Sequence, residues 1–309
     1  MATEPILAVL DLAAVERRQT VRYGTFADYC ALTKPEVNFL IAIATGAAFC
    51  LTFPRTLAHF PWIMLLHTLL GTVLVASGAG SLNQVIERNF DAQMRRTARR
   101  PIADGRIGTS YALAFGIVLS IAGSLYLALA VRPAASLLAL ATLAGYLLLY
   151  TPLKRRTPMC TLVGAFPGAM PVLIGYTAAM GKLDTQAWLL YAVLFLWQFP
   201  HFMAIAWMYR EDYARAGYLV LPPGESSGRF MSWQTVVPAL ALFPVTLSPA
   251  LPGHSSFSYT VGSLLVTGIF VYFATQLATR RSRSSARRLL LASIIYLPLM
   301  FLLVVLCRG

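Results

Sequence analysis

Charge is scarce in this sequence, and negative charge scarcest of all. Only 12 residues are Asp or Glu, against 25 Lys and Arg, and charged residues make up 12% of the chain. A water-soluble globular protein carries about a quarter charged residues, so a soluble composition is excluded. There is no sizeable polar domain either, which argues against a scaffold for soluble partners. Cysteine is nearly absent: Cys30, Cys50, Cys160 and Cys307 form no CxxC pair. That removes a disulfide framework and a cysteine metal cluster from consideration. Residues 1–30 show no apolar core of the kind a cleavable signal needs, so the first span is expected to serve for insertion.

What is abundant is apolar sequence. Hydrophobic residues make up 58% of 309, and the mean hydropathy is +0.66. Crossing a bilayer as a helix takes about 20 apolar residues. Nine such stretches are expected, starting near Val37, Trp62, Ser110, Ala134, Thr161, Gln186, Trp233, Tyr259 and Leu289. The fourth, Ala134–Pro152, is short. The fold class is therefore an all-α, polytopic membrane protein with nine transmembrane helices. Residues 1–25 read as a flexible cytoplasmic N-terminal segment, and 26–309 as a single transmembrane domain.

The basic residues sort the topology. With the N-terminus in the cytoplasm, the far side keeps only Arg55, Arg132, Lys182 and Arg308. All other lysines and arginines fall inside, as the positive-inside rule requires. Nine spans then leave the C-terminus on the opposite side, in a multi-pass protein of the cell (inner) membrane. The net charge of +13 reads as orientation and attraction to anionic membrane lipid and anionic substrate, not as nucleic-acid binding.

The most informative stretch is Asn83–Pro101, at the end of the second span. Asn83, Glu87 and Asp91 recur every four residues. On a helix each lies roughly 40° round from the last, so three oxygen-bearing side chains form a column on one face. A basic cluster follows, Arg95, Arg96, Arg99 and Arg100, and then Pro101. Carboxylates at a membrane edge are rare and mark functional sites. They suit Mg²⁺, which is held through one or two carboxylates plus substrate phosphates, while arginine forks onto phosphate. Together they point to a Mg²⁺–diphosphate site. The plainer reading is a set of solvated charges capping a membrane helix, and for the arginines alone it is the better one.

A second constellation ends the sixth span. Gln198 and His201 lie within its apolar run, and Asp212 and Tyr213 at its cytoplasmic end. A lone histidine in an apolar span is often a satisfied core residue; here Gln198 beside it makes a polar patch. The fifth span holds Pro167, Pro171 and several glycines. Such residues are tolerated at membrane depth next to neighbours or a cavity, so this span is expected to wall a cavity. The small-residue run Ala76–Ser81 reads first as close helix packing.

The Asn83-to-Pro101 pattern resembles the first signature of the UbiA-type intramembrane prenyltransferases, in the form used by their haem-modifying branch. Three further pieces resemble that branch: LTKPEV at Leu32–Val37, YTPLKR at Tyr150–Arg155, and WQFPHF with EDYARAGY between Trp197 and Tyr218. The resemblance implies a UbiA-type bundle and transfer of a farnesyl group from farnesyl diphosphate to the 2-vinyl group of haem B, giving haem O. It implies Asn83, Glu87, Asp91 and Asp212 as catalytic residues that hold Mg²⁺. Lys34, Arg96, Arg100, Lys154, Arg155, Gln198, His201 and Tyr213 become substrate-binding residues. The broader family pairs two acids four apart in its second motif. Here Met208 and Ala216 flank Asp212 at that spacing, so a second Mg²⁺ lacks its usual ligands. A haem A synthase enters as a candidate partner. The alternatives are a related transferase for another aromatic or tetrapyrrole acceptor, or a membrane transporter. A transporter gathers polar groups at the midplane, whereas here they gather at one membrane face.

Overall fold

A computed structural model describes residues 24–53, 60–222, 228–248, 251 and 256–307. The expected flexible segment lies almost entirely in 1–23, outside the described residues, as do Arg17, Arg18, Arg22, Arg55 and Arg308. The described residues form helices and no β-strand. In chain order they are α1 (Phe26–Leu32), α2 (Pro35–Cys50), α3 (Trp62–Asp91), α4 (Thr109–Ala130) and α5 (Pro133–Leu153). Then come α6 (Cys160–Met180), α7 (Thr185–Met208), α8 (Arg210–Arg215), α9 (Arg229–Thr246), α10 (Phe257–Arg280) and α11 (Arg283–Leu306).

Local chemistry sets several helix starts. Thr25 and Asp28 form a reciprocal capping box on α1, which satisfies two orphan amides at once. Asp184 accepts from the Ala187 N–H at 3.2 Å to start α7. Ser282 accepts from the Ser285 N–H at 3.1 Å to start α11. Pro35 and Pro133 occupy the first turns of α2 and α5, where a missing N–H costs nothing.

Among the described residues, seven helices are long and apolar enough to cross a membrane: α3 to α7, α10 and α11. The other two expected spans exist as helices but are short, α2 with 16 residues and α9 with 18. The fourth span, expected to be short, is 21 residues long, as long as the fifth. Its extra length includes a π-helical stretch at Gly145–Tyr150.

Polarity is inverted relative to a soluble fold. Ser120 and Ser124 of α4 are buried, while Ile117, Val118, Ile121, Leu125 and Leu129 of the same helix are exposed. In water such a surface would aggregate; in hydrocarbon it is the solvated face. The buried hydroxyls bond to carbonyls one turn earlier, Ser120 to Gly116 and Ser124 to Ser120, both at 2.8 Å.

Small residues bring the backbones together. A Cβ on Gly78 of α3 would sit 2.8 Å from the Gly116 carbonyl of α4, and one on Gly123 would sit 2.7 Å from the Val75 amide. The run Ala76–Ser81 thus serves packing. The glycines of the fifth span also serve close packing. α6 is the most enclosed of the seven spans and walls a contact on three sides. Gly164 faces the Tyr150 ring of α5, Gly168 faces Gln198 of α7, and Gly175 faces the Thr45 carbonyl of α2.

Tertiary contacts gather the basic ends on one face. Lys34 reaches Asn83, Lys154 reaches Glu87, Asp212 meets Arg96, and Trp207 meets Arg281. The end of α3, the end of α5, the end of α7 and the α10–α11 turn therefore lie together. Arg132 bonds the Ala178 carbonyl at the opposite face, near Asp184 and Tyr176.

Candidate active site

Helix α3 supplies the column. Asn83, Glu87 and Asp91 are all buried, at 1%, 5% and 1% exposure, on the face turned toward α2 and α5. Each meets a cation from elsewhere in the chain. Lys34 Nζ donates to Asn83 Oδ1 at 2.7 Å. Lys154 Nζ donates to Glu87 Oε1 at 2.7 Å. Arg100 Nη1 donates to both Asp91 oxygens at 2.7 Å. Asn83 Nδ2 also donates to Thr151 Oγ1 at 3.3 Å, which binds α5 to the column.

Lys34 gets there through a left-handed turn between α1 and α2, with φ 54° and ψ 65°. A residue before proline is steered away from the right-handed helical region, and the left-handed one costs about 1–2 kcal/mol for a non-glycine residue. The turn is held by Gln84 of α3, which donates to the Leu32 carbonyl at 3.1 Å, and by Asn38, which donates to the Thr33 carbonyl at 2.8 Å. Burial, with Arg100 adding repulsion, lowers the Lys34 ammonium to about 7. Burial also works against the Lys154 ammonium, but the Glu87 carboxylate overrides it and holds that group above the ordinary lysine range.

The connection after α3 is pinned at both ends. Met94, Thr97, Ile102 and Ile107 are buried, and Thr97 Oγ1 donates to the Asp91 carbonyl at 3.0 Å. Arg106 closes the far end by pairing with buried Asp28. Between these anchors Arg95, Arg96 and Arg99 are exposed. The Arg96 guanidinium lies 5.1 Å from the Tyr209 ring centre, and the Arg155 guanidinium 4.3 Å from that of Phe90.

Asp212, on α8, is buried at 7%. Its Oδ2 accepts from the Arg96 backbone N–H at 3.3 Å, and its Oδ1 from Arg215 at 3.3 Å. It thereby clamps the second motif to the arginine-bearing connection of the first. Beyond it, Gly217 adopts φ 68°, a left-handed turn suited to glycine, and sends the chain back toward α5. There the Leu219 N–H donates to the Lys154 carbonyl at 2.7 Å.

That return brings in Tyr150 and Tyr218, which the sequence alone does not place at the site, beside Tyr213, which it does. Tyr150 and Tyr218 flank the Lys154 ammonium, with ring centres 4.6 and 5.9 Å away. Tyr213 lies edge-on to Tyr218 at 6.0 Å. The Tyr218 hydroxyl is buried beside Glu87, and burial raises its ionisation further above the tyrosine range, with Glu87 adding to it. Tyr150 and Tyr218 stand in the YTPLKR and EDYARAGY stretches, but nothing in their spacing pairs them with Lys154.

Gln198 and His201 do not join the column. Gln198 Nε2 donates to the carbonyls of Ala165 and Leu194, at 3.2 and 3.1 Å, in the notch left by Gly168. It ties α7 to α6. His201 faces the other way, with Nδ1 2.7 Å from Ser293 Oγ of α11.

No group of three or more His, Cys, Asp or Glu that could hold a metal occurs among the described residues. A protein-only cage is therefore not what the column offers. Two carboxylates and an amide oxygen on one helix face fit a Mg²⁺ whose remaining ligands are phosphate oxygens. Lys34, Lys154 and Arg100, now on those oxygens, stand within reach of the same anion.

The sequence pattern of the UbiA prenyltransferase family matches residues 39–304. A protein of Solibacter usitatus named "Protoheme IX farnesyltransferase" is 47% identical over 287 residues, covering 91% of this chain and 98% of its own. One of the same name from Koribacter versatilis is 42% identical, covering 91% and 93%. Among solved structures, a digeranylgeranylglyceryl phosphate synthase superposes with a TM-score of 0.70 at 15% identity, covering 91% and 97%. A UbiA homologue of Archaeoglobus fulgidus bound to GPP and Mg²⁺ gives 0.59 at 15%, covering 90% and 99%. With a match that runs through nearly all its spans and relatives alike along their whole length, the chain belongs to the UbiA prenyltransferase family.

Proposed function

We propose that this chain transfers a farnesyl group from farnesyl diphosphate to the 2-vinyl group of haem B, releasing diphosphate and giving haem O. The observation that carries the donor half is the column of Asn83, Glu87 and Asp91 met by Lys34, Lys154 and Arg100. Such a set binds a polyanion only by letting its cations turn onto it. The acceptor half is supported by the full-length likeness to proteins named for protohaem farnesylation.

Asn83, Glu87 and Asp91, with Asp212 nearby, would hold Mg²⁺. When bound, the ion stabilises the charge that develops on the leaving diphosphate. The chain's own residues do the rest. Arg100, Lys154 and Lys34 hold the diphosphate oxygens, with Arg96 and Arg155 at the exposed rim. The bond between the first farnesyl carbon and oxygen breaks, and its electron pair leaves with diphosphate. The vinyl group of haem B attacks the allylic cation, and water captures the resulting cation and loses a proton. Tyr150 and Tyr218 turn aromatic faces to the Lys154 ammonium, and Tyr213 and Phe90 pack on Tyr218 behind them; such a lining keeps water out and favours positive charge.

The site face is proposed to be cytoplasmic, in the cell inner membrane, with a haem A synthase as the consuming partner. The test is turnover: purified protein in lipid, given farnesyl diphosphate, haem B and Mg²⁺, should form a more hydrophobic haem on reverse-phase chromatography. Chelation of divalent ions should stop it. Prenylation of a quinone precursor with no haem product would overturn the acceptor and leave the family standing.

A further inference from the structure

His201 lies seven residues before the end of α7 at Met208, about 10 Å inside the site face at 1.5 Å per residue. Its Nδ1 is 2.7 Å from Ser293 Oγ. That hydroxyl has one proton, and it points at the Leu290 carbonyl 2.6 Å away, a group with no proton to return. Ser293 Oγ is therefore the acceptor toward His201, and the shared proton belongs to Nδ1. A neutral imidazole protonated there carries its lone pair on Nε2.

The ring is braced from a second side. Trp197 stacks on it, with centres 4.8 Å apart and planes 24° from parallel. The Trp197 indole N–H donates to the Ser293 carbonyl at 2.8 Å. Ser293 itself is fully buried. One residue of α11 thus fixes both the imidazole and the indole that covers it. Among the described residues, Nε2 of this half-buried ring has no hydrogen-bond partner. A bare lone pair within an apolar span is costly unless something fills it. Histidines that ligate a metal donate their other N–H in this manner, which fixes the tautomer and strengthens the ligand.

We propose that His201 presents Nε2 as an axial ligand to the iron of a metallo-tetrapyrrole, and that Ser293 is the residue that positions it. The proposal rests on haem as the acceptor and adds where its iron docks, away from the diphosphate column. A flat ring held there leaves its carboxylate edge free to meet the basic face.

The test uses the full chain in lipid nanodiscs, with ferric protohaem IX and metal-free protoporphyrin IX as probes. The expected result is a nitrogen-ligated Soret band with protohaem that His201→Ala loses. Ser293→Ala should weaken protohaem binding roughly 10–100-fold, while Ser293→Thr, which restores the hydroxyl, keeps it. Neither change should alter protoporphyrin binding. In ¹⁵N-histidine spectra Ser293→Ala should lose the protonated-Nδ1 signal of His201. Farnesyl diphosphate binding checks the fold of each variant; if His201→Ala fails that check, the Ser293→Ala and Ser293→Thr pair decides. Wild-type Soret and affinity in folded His201→Ala, or equal weakening of both porphyrins, would overturn iron ligation but not haem farnesylation. Wild-type protein that binds neither probe and forms no farnesylated haem would overturn the functional reading as well.

Discussion

Asp91 is almost free of solvent and takes both of its hydrogen bonds from one arginine. Its carboxylate sits at the end of a helix and not in a packed core, so Asp91→Asn should insert and fold. Turnover should then fall to background across the Mg²⁺ range; near-normal activity at ordinary Mg²⁺ would remove it from the metal role. Arg100→Ala should weaken farnesyl diphosphate binding and spare haem binding. A lost charge-assisted fork to phosphate costs about 1.5–3 kcal/mol; calorimetric titration with each ligand checks it, and equal losses would indicate a fold defect. Glu87 and Lys154 are a buried pair, with side chains 6% and 13% exposed. Removing one partner strands the other, at about 3–5 kcal/mol. Lys154→Met alone should therefore lower the thermal midpoint, and the double change with Glu87→Gln should restore most of it without restoring activity. A double variant as unstable as the single one would argue against the pair.

At the scale of the helix, the glycines of α6 carry a prediction. A Cβ on Gly175 would collide with the Thr45 carbonyl of α2, and a backbone atom cannot step aside as a side chain can. Overpacking of this kind costs about 1–3 kcal/mol. Gly175→Ala should lower the thermal midpoint in detergent, and because α2 carries Lys34 at its start it should also raise the KM for farnesyl diphosphate. Gly268→Ala on α10 is the control, since nothing lies within 4 Å of its Cβ; it should be neutral or stabilising. The span boundaries themselves were legible. Starts expected near Trp62, Ser110, Ala134, Thr161 and Gln186 lie within one residue of those observed, because apolar length and a flanking proline or cap are local signals; the helices expected from Val37, Trp233, Tyr259 and Leu289 begin earlier, at Pro35, Arg229, Phe257 and Arg283, because their first turns are polar or carry a proline. What α6 does with its prolines and glycines was not legible. The same composition suits a cavity or a close crossing, and only the neighbours α2, α5 and α7 decide.

For the whole molecule, the gathering of Lys34, Lys154, Asp212 and Arg281 on one face makes orientation testable. A cysteine at exposed Arg156 should be labelled by a membrane-impermeant maleimide only from the cytoplasm, and one at Lys182 only from the other side. Arg156 labelled from outside would invert the topology. The column of Asn83, Glu87 and Asp91 was written into the sequence, because a helix closes its own hydrogen bonds four residues apart and so turns a spacing into a face. The basic face was written there too, because the charges flank spans that must alternate in direction. The partners of the column were not. Lys34 is 49 residues from Asn83, Lys154 is 67 from Glu87, and Asp212 is 116 from Arg96. No local periodicity encodes such pairings. They follow from which helices pack together, and that is settled by shape: by the glycines that admit a neighbour's backbone, and by the Gly217 turn that brings Tyr218 back beside Lys154.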